Sequence, residues 1–311
     1  RKKCKMKINI FFIILFFIIF IPSLYYLYIE STSYSIGALI SASSIYFFYL
    51  LKYQKIDIGK NYFSFFILLI LIFITSLYSI IIFDWFEFKR FLLSYFLILF
   101  CLVASILFVT VSIKTDDQKV YDIVSITFYI LLIDGLILLS QKYFFSVSSR
   151  STILFPEFSH FSLIFLPFLL FKVQTSKKDF QSFLWIFISL IFALTIENLT
   201  LLVGTILVMF IYSIKKTLFI FIIPATLVML HLGSDYFIYF VHRLNFIDAN
   251  NLSTLVFLSG WERAYLNILE SNFFGVGFNQ MGMNGLVGFY QEQIEIIYGE
   301  HMSTLNLRDG G

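Results

Sequence analysis

The sequence predicts an all-α fold: a polytopic integral membrane protein of about nine transmembrane helices with a large helical loop on the extracytoplasmic side. Three observations predict it. The mean hydropathy is +0.90 and only 13% of residues are charged, against ~25% in a soluble domain. Apolar runs of spanning length recur between charged breaks. Lysine and arginine gather in alternate breaks, as a positive-inside topology requires. The net charge of +3 says less than this distribution. Cys4 and Cys101 fall at different depths, which argues against a disulfide, and no Cys/His cluster has metal-ligand spacing.

The chain starts with a basic stretch, Arg1, Lys2, Lys3, Lys5 and Lys7, followed by apolar residues. A secretory leader would next need small residues at a cleavage site. Pro22-Ser23-Leu24-Tyr25-Tyr26 is aromatic there, so the run reads as an uncleaved first helix. The predicted spans are Ile8–Tyr28, Ser33–Leu51, Tyr62–Phe83, Phe91–Ile113, Val120–Ser140, Phe158–Phe171, Phe183–Ile196, Leu199–Ile214 and Leu218–Leu232. Pro156 and Pro167 mark the sixth, and the seventh and eighth form a hairpin turning at Glu197-Asn198, whose side chains are expected to satisfy backbone groups. This gives a transmembrane domain over 1–232 and a large loop over 233–311. The 42 phenylalanines read mostly as lipid-facing bulk, and tyrosine and tryptophan near span ends as interface anchors.

With the N-terminus in the cytoplasm, the tail and inner loops hold 15 of the 22 basic residues, counting Lys52, Lys55, Lys60, Lys114, Lys119, Lys172, Lys177, Lys178, Lys215 and Lys216. Fourteen of 16 lysines are then inside, while five of six arginines (Arg90, Arg150, Arg243, Arg263 and Arg308) are outside. Topology explains the lysines and not the arginines. Guanidinium offers a rigid fork of donors matched to phosphate and carboxylate. Chance, with salt bridges on loop surfaces, is the competing reading.

The loop is compositionally distinct. It holds ten of the 14 glycines, no lysine, and eight acids against three arginines. A net negative surface argues against nucleic-acid or anionic-lipid binding. A segment this long with apolar stretches is expected to fold. Leu255–Glu270 reads as an amphipathic helix capped by Ser259 with Glu262, its Trp261, Ala264, Tyr265, Ile268 and Leu269 forming one face. Trp261 and Tyr265 are expected to pack beneath it, with sugar stacking as the alternative. Asn272 and Gly275 end the helix, and Gly275-Val276-Gly277 forms a tight turn that glycine permits. The polar end, Asn306 to Gly311, reads as mid-loop, with further helices expected beyond it.

Two runs carry a resemblance: Ser259-Gly260-Trp261-Glu262-Arg263-Ala264-Tyr265, then Asn272-Phe273-Phe274-Gly275-Val276-Gly277-Phe278. An arginine on a loop helix, about a dozen residues before a Gly-x-Gly turn, resembles the loop of the Wzy-type O-antigen polymerase and ligase superfamily. Arg150-Ser151-Thr152-Ile153-Leu154-Phe155-Pro156-Glu157-Phe158-Ser159-His160 resembles the family's other arginine-bearing outer loop, and Leu305 to Gly311 the end of its large loop. The family's C-terminal helices are missing here, and the spacing from Arg263 to Gly275 is one residue longer than in some members.

The resemblance implies a C-type glycosyltransferase fold and a repeat-unit polymerase at the periplasmic face of the bacterial inner membrane. It would transfer the growing undecaprenyl-diphosphate-linked glycan onto the next lipid-linked unit without metal or cofactor. A lipid diphosphate leaves without a proton once its charge is stabilised, which preorganised arginines can do. Arg263 and Arg150 are the expected catalytic arginines. His301 is the candidate base for the acceptor hydroxyl, because imidazole titrates near neutrality. Substrate binding is expected from Arg243, Glu157, His160, Trp261, Gly275, Gly277 and Arg308. Asp134, an acid within a span, is functional by default, with helix pairing as the alternative. Expected partners are the lipid-linked oligosaccharide, membrane lipid, a flippase and a chain-length regulator. The alternative function is a ligase joining glycan to lipid A-core. A flippase or other transporter fits less well, because that class predicts acids deep in several helices and short outer loops.

Overall fold

The computed structural model describes residues 10–29, 34–53, 63–144, 152–213, 240, 242–246 and 249–300, and these are helical with no strands among them. In chain order the helices are α1 (Ile10–Ile19), α2 (Ile21–Tyr28), α3 (Tyr34–Tyr53), α4 (Phe63–Ile82), α5 (Phe88–Ile113), α6 (Asp117–Phe144), α7 (Phe158–Thr175), α8 (Asp179–Thr195), α9 (Leu199–Ser213), α10 (Leu252–Glu270) and α11 (Phe289–Tyr298). Six of them, α3 to α8, are long and apolar enough to cross a membrane, and α1 with α2 makes a seventh if the bent pair is one span. The predicted eighth span is the shorter α9, and the ninth lies outside the described residues.

Helix boundaries deviate from expectation where polar residues were taken as breaks. The fifth predicted span extends at both ends to Asp117–Phe144, and the sixth continues to Thr175. Lys172 is therefore not on an inner loop. It lies in the last turn of α7, buried, with its ammonium 4.9 Å from the Tyr129 ring centroid and 5.5 Å from that of Tyr121, donating to Ser125 Oγ at 3.3 Å. Residues 121, 125 and 129 recur every fourth position on α6 and line one face. Two ring faces and a hydroxyl offset the loss of water around the cation.

The described residues belong to two compact units, Arg1–Ile56 with Ala104–Ile238 and Asp57–Val103 with Tyr239–Gly311. In the first unit α3 packs on α1 and α2, while α6, α7, α8 and α9 form a second set of neighbours. Pro22, at the start of α2, lacks the donor a continuous helix would use, and α1 and α2 meet at 47°. Ser41 Oγ donates to the Phe17 carbonyl beside the bend at 2.7 Å. Glycines allow close crossings: a Cβ on Gly37 would meet Pro22, one on Gly135 Phe192, and one on Gly204 Leu166, each under 3 Å. Small residues at crossings let helices approach in lipid, where dispersion replaces the hydrophobic effect.

Phenylalanine is not only lipid-facing. Phe128, Phe161, Phe165 and Phe192 are fully buried in this unit, and their rings meet across α6, α7 and α8 at 5.3 to 6.1 Å. At the α8–α9 turn Glu197 takes φ +57°, and Asn198 Oδ1 caps α9 by accepting from Leu201 N at 2.8 Å.

The second unit contains α4, the first part of α5, α10 and α11. On α4 only Leu69, Ser76 and Ser79 are buried. The two serines receive the chain that follows α10: Ser76 Oγ accepts from Phe278 N at 3.0 Å, and Ser79 Oγ donates to the Gly275 carbonyl at 3.2 Å. Ser76 is six residues, roughly 9 Å at the α-helical rise, from the end of α4. Irregular backbone therefore reaches the depth of a span, which is tolerated where protein satisfies its polar groups.

Candidate functional site

The loop helix forms as expected, with a different start and a reversed face. α10 begins at Leu252, three residues early, because Asn251 Oδ1 caps it by accepting from Ser253 N at 3.0 Å. Ser259 is thus mid-helix and donates to the Val256 carbonyl instead of capping. Glu262 caps another helix, one the sequence reading did not predict: its two carboxylate oxygens accept from Phe289 N and Tyr290 N, each at 2.9 Å, at the start of α11. A Cβ at Gly288 would stand 2.3 Å from Glu262 Cδ, so that approach needs glycine.

The residues turned inward on α10 are Thr254 and then Leu255, Ser259, Arg263 and Asn267, the last four at intervals of four. Trp261 and Tyr265, expected beneath the helix, are 66% and 61% exposed. Arg263 is 3% exposed and donates from Nη2 to Gln291 Oε1 of α11 at 3.1 Å. Burial pulls its guanidinium below the ordinary arginine range, though arginine remains protonated. Asn267 Nδ2 donates to the Arg263 carbonyl at 2.8 Å, and Asn284 Nδ2 donates both to Asn267 Oδ1 at 2.7 Å and to Glu270 Oε2 at 2.6 Å. Arg263 is therefore buried beside Gln291, at the edge of a network of amide side chains.

The glycine turn is where the sequence places it. Gly275 and Gly277 have φ +83° and +92°, and Gly275 N donates to Ser271 Oγ at 2.9 Å. A Cβ at Gly277 would meet Phe86 at 2.7 Å. The chain beyond the turn is tied to the α4–α5 connection. Glu87 N donates to Gln280 Oε1 at 2.9 Å, Gln280 Nε2 donates to the Glu87 carbonyl at 3.2 Å, and Asn279 Nδ2 donates to Ser94 Oγ at 2.6 Å. Arg90, in the first turn of α5, donates to Asn279 Oδ1 at 3.4 Å and to Met283 Sδ at 3.1 Å. Arg243 is partly buried, and its carbonyl accepts from Thr254 Oγ1 at 2.9 Å.

Within the first unit a second cluster forms at the start of α7. His160 Nδ1 and the Tyr34 hydroxyl are 2.9 Å apart, Tyr34 stacks on Tyr26 at 4.6 Å, and Ser159 Oγ donates to the exposed Glu157 at 3.0 Å. The preceding segment is a closed turn, with Thr152 Oγ1 accepting from Phe155 N at 2.8 Å. Asp134 of α6 is buried and faces the Thr152 hydroxyl and the backbone of Ile153 and Leu154. Arg150, His301 and Arg308 lie outside the described residues.

The sequence reading missed Gln291, Asn267, Asn279, Gln280, Ser76, Ser79 and Tyr34. Two signals were present. Ser76 and Ser79, three apart, fall in the mostly apolar Phe63–Ile82, and Ser259, Arg263 and Asn267 repeat at four-residue spacing opposite the aromatic stripe. Arginine drew attention for its charge, whereas the amides that hold it have no distinctive sequence pattern. Among the described residues no three His, Cys, Asp or Glu side chains gather as a metal site. No family model, curated protein or solved structure matches this chain.

Proposed function

We propose that this chain is a metal-independent repeat-unit polymerase of the Wzy type, with a C-type glycosyltransferase fold. It transfers an undecaprenyl-diphosphate-linked glycan onto the next lipid-linked unit at the periplasmic face of the inner membrane. The observation that carries the reading is the arginine-bearing loop helix built onto the end of a transmembrane hairpin. Arg263 on α10 and Arg90 on α5 belong to one compact unit, each held by a side-chain amide, Gln291 and Asn279. Fixed guanidiniums beside spanning helices suit a substrate whose anionic diphosphate is anchored in lipid. Their charge is oriented before the glycosidic bond breaks, which is what stabilises a departing diphosphate. Glu157 and His160, with Tyr34 beside them, supply acceptors and ring faces suited to a sugar.

The test is deletion of the gene in its own host, with the surface polysaccharide resolved on a gel. Lipid A-core bearing one repeat unit, with the longer ladder lost, is the expected result. Full-length polymer stranded on its lipid carrier would mean a ligase instead, and an unchanged ladder would overturn both.

A further inference from the structure

We infer that the aromatic face of α10 is a bilayer-contact surface, holding the loop helix in the interfacial layer of the membrane. This inference does not depend on the activity proposed above.

The first observation is the inverted helix. A helix packed on a soluble protein core turns its apolar stripe inward. α10 does the reverse. Ser259, Arg263 and Asn267 are buried on one side, and Phe257, Trp261, Tyr265, Ile268 and Leu269 are exposed on the other. Across the exposed side no charged residue occurs between Leu252 and Ile268, since Glu262 is turned to the start of α11 and Arg263 is buried. Leu244 and Phe246 extend the stripe at one end, with Phe246 ring to ring with Phe257 at 6.2 Å and Phe257 with Trp261 at 6.3 Å. A contiguous apolar patch of this kind marks a contact surface.

The second observation says what covers it. Beyond α10, Phe273 and Phe274 are exposed, and the Phe274 ring lies 4.8 Å from that of Tyr78 on α4. Tyr78 belongs to the most lipid-suited helix of the unit, whose Ile74, Leu77, Ile81 and Ile82 are all exposed. The aromatic face therefore continues directly from the surface of a span. The hydrogen bonds from Phe278 N to Ser76 and from Ser79 to the Gly275 carbonyl hold the chain after α10 alongside that span. Tryptophan and tyrosine are the side chains that favour the boundary between headgroups and acyl chains, where a ring is buried and its polar atom stays hydrated. An interfacial helix buries such a face by roughly 5–10 Å. The loop has no lysine, so adhesion rests on apolar area and not on anionic headgroups.

The test uses the full chain in nanodiscs of phosphatidylethanolamine and phosphatidylglycerol, with Cys4 and Cys101 replaced by serine. Nitroxides are placed one at a time at 257, 261 and 265, with the exposed Glu292 of α11 as the polar control. Greater collision with oxygen than with a water-soluble nickel chelate at the three aromatic positions, reversed at 292, is expected. Preferential access of the nickel chelate at all four positions would overturn the inference. So would exclusion of both reagents at the aromatic positions, which would mean that protein covers the face. The chain with its native cysteines offers a check free of labels: brominated lipid should quench tryptophan emission, and Trp261→Phe should reduce the quenched share. Unchanged quenching in that variant would also overturn the inference.

Discussion

Arg263 shows what burial does to a residue chosen for its charge. A guanidinium at 3% exposure has lost most of its water, and its pairing with Gln291 replaces part of that hydration. Removing one partner strands the other, which costs about 1–3 kcal/mol for a buried polar group. Arg263→Leu and Gln291→Leu are each expected to destabilise the loop by that amount. The double variant should lose less than the sum, because the second change removes a group already stranded. Titration of purified protein in mixed micelles with a denaturing detergent reads these differences. Strictly additive losses would mean that the pair does not interact.

At the scale of elements, the glycines at helix crossings are not equivalent. A Cβ at Gly37 would meet the Pro22 backbone, with Cα at 2.8 Å and the carbonyl oxygen at 2.9 Å. Backbone cannot rotate out of the way, so Gly37→Ala should force α2 and α3 apart, at a cost typical of overpacking, about 1–3 kcal/mol. A Cβ at Gly204 would meet the methyl groups of Leu166, which a rotamer change can move. Gly204→Ala should therefore be the milder variant, and comparing the two thermal transitions in one detergent checks the order. The same contrast explains which loop features were readable from sequence. Gly275-Val276-Gly277 is legible because positive φ selects for glycine. The capping of α11 by Glu262 is not, because the cap comes from a residue 27 positions earlier.

For the whole molecule, orientation decides whether the loop can meet lipid-linked sugar outside the cell. The distribution of basic residues predicts Asp117 on the cytoplasmic side and Glu292 outside, and both are exposed. With the two native cysteines replaced, Glu292→Cys in spheroplasts should react with a membrane-impermeant maleimide. Asp117→Cys should react only after permeabilisation. The opposite pattern would rule out a periplasmic reaction for this loop. The division into units adds something the hydropathy profile lacks: α4 and the first part of α5 group with the loop and not with the remaining spans.

Sequence by itself determined the membrane class, the positions of the six spanning helices α3 to α8 to within about four residues, the loop helix ending at Glu270 and the glycine turn after it. Each rests on a local property: apolar run length, charge at span ends, helical periodicity or a positive φ. Tertiary structure decided which face of α10 is buried, that Arg263 is buried beside Gln291, that Lys172 belongs to α7 within a tyrosine-lined contact, and that His160 meets Tyr34 across 126 positions. Those outcomes depend on partners distant in the chain. An aromatic stripe has the same periodicity whether it faces protein or lipid, so the sequence pattern could locate the stripe and could not orient it.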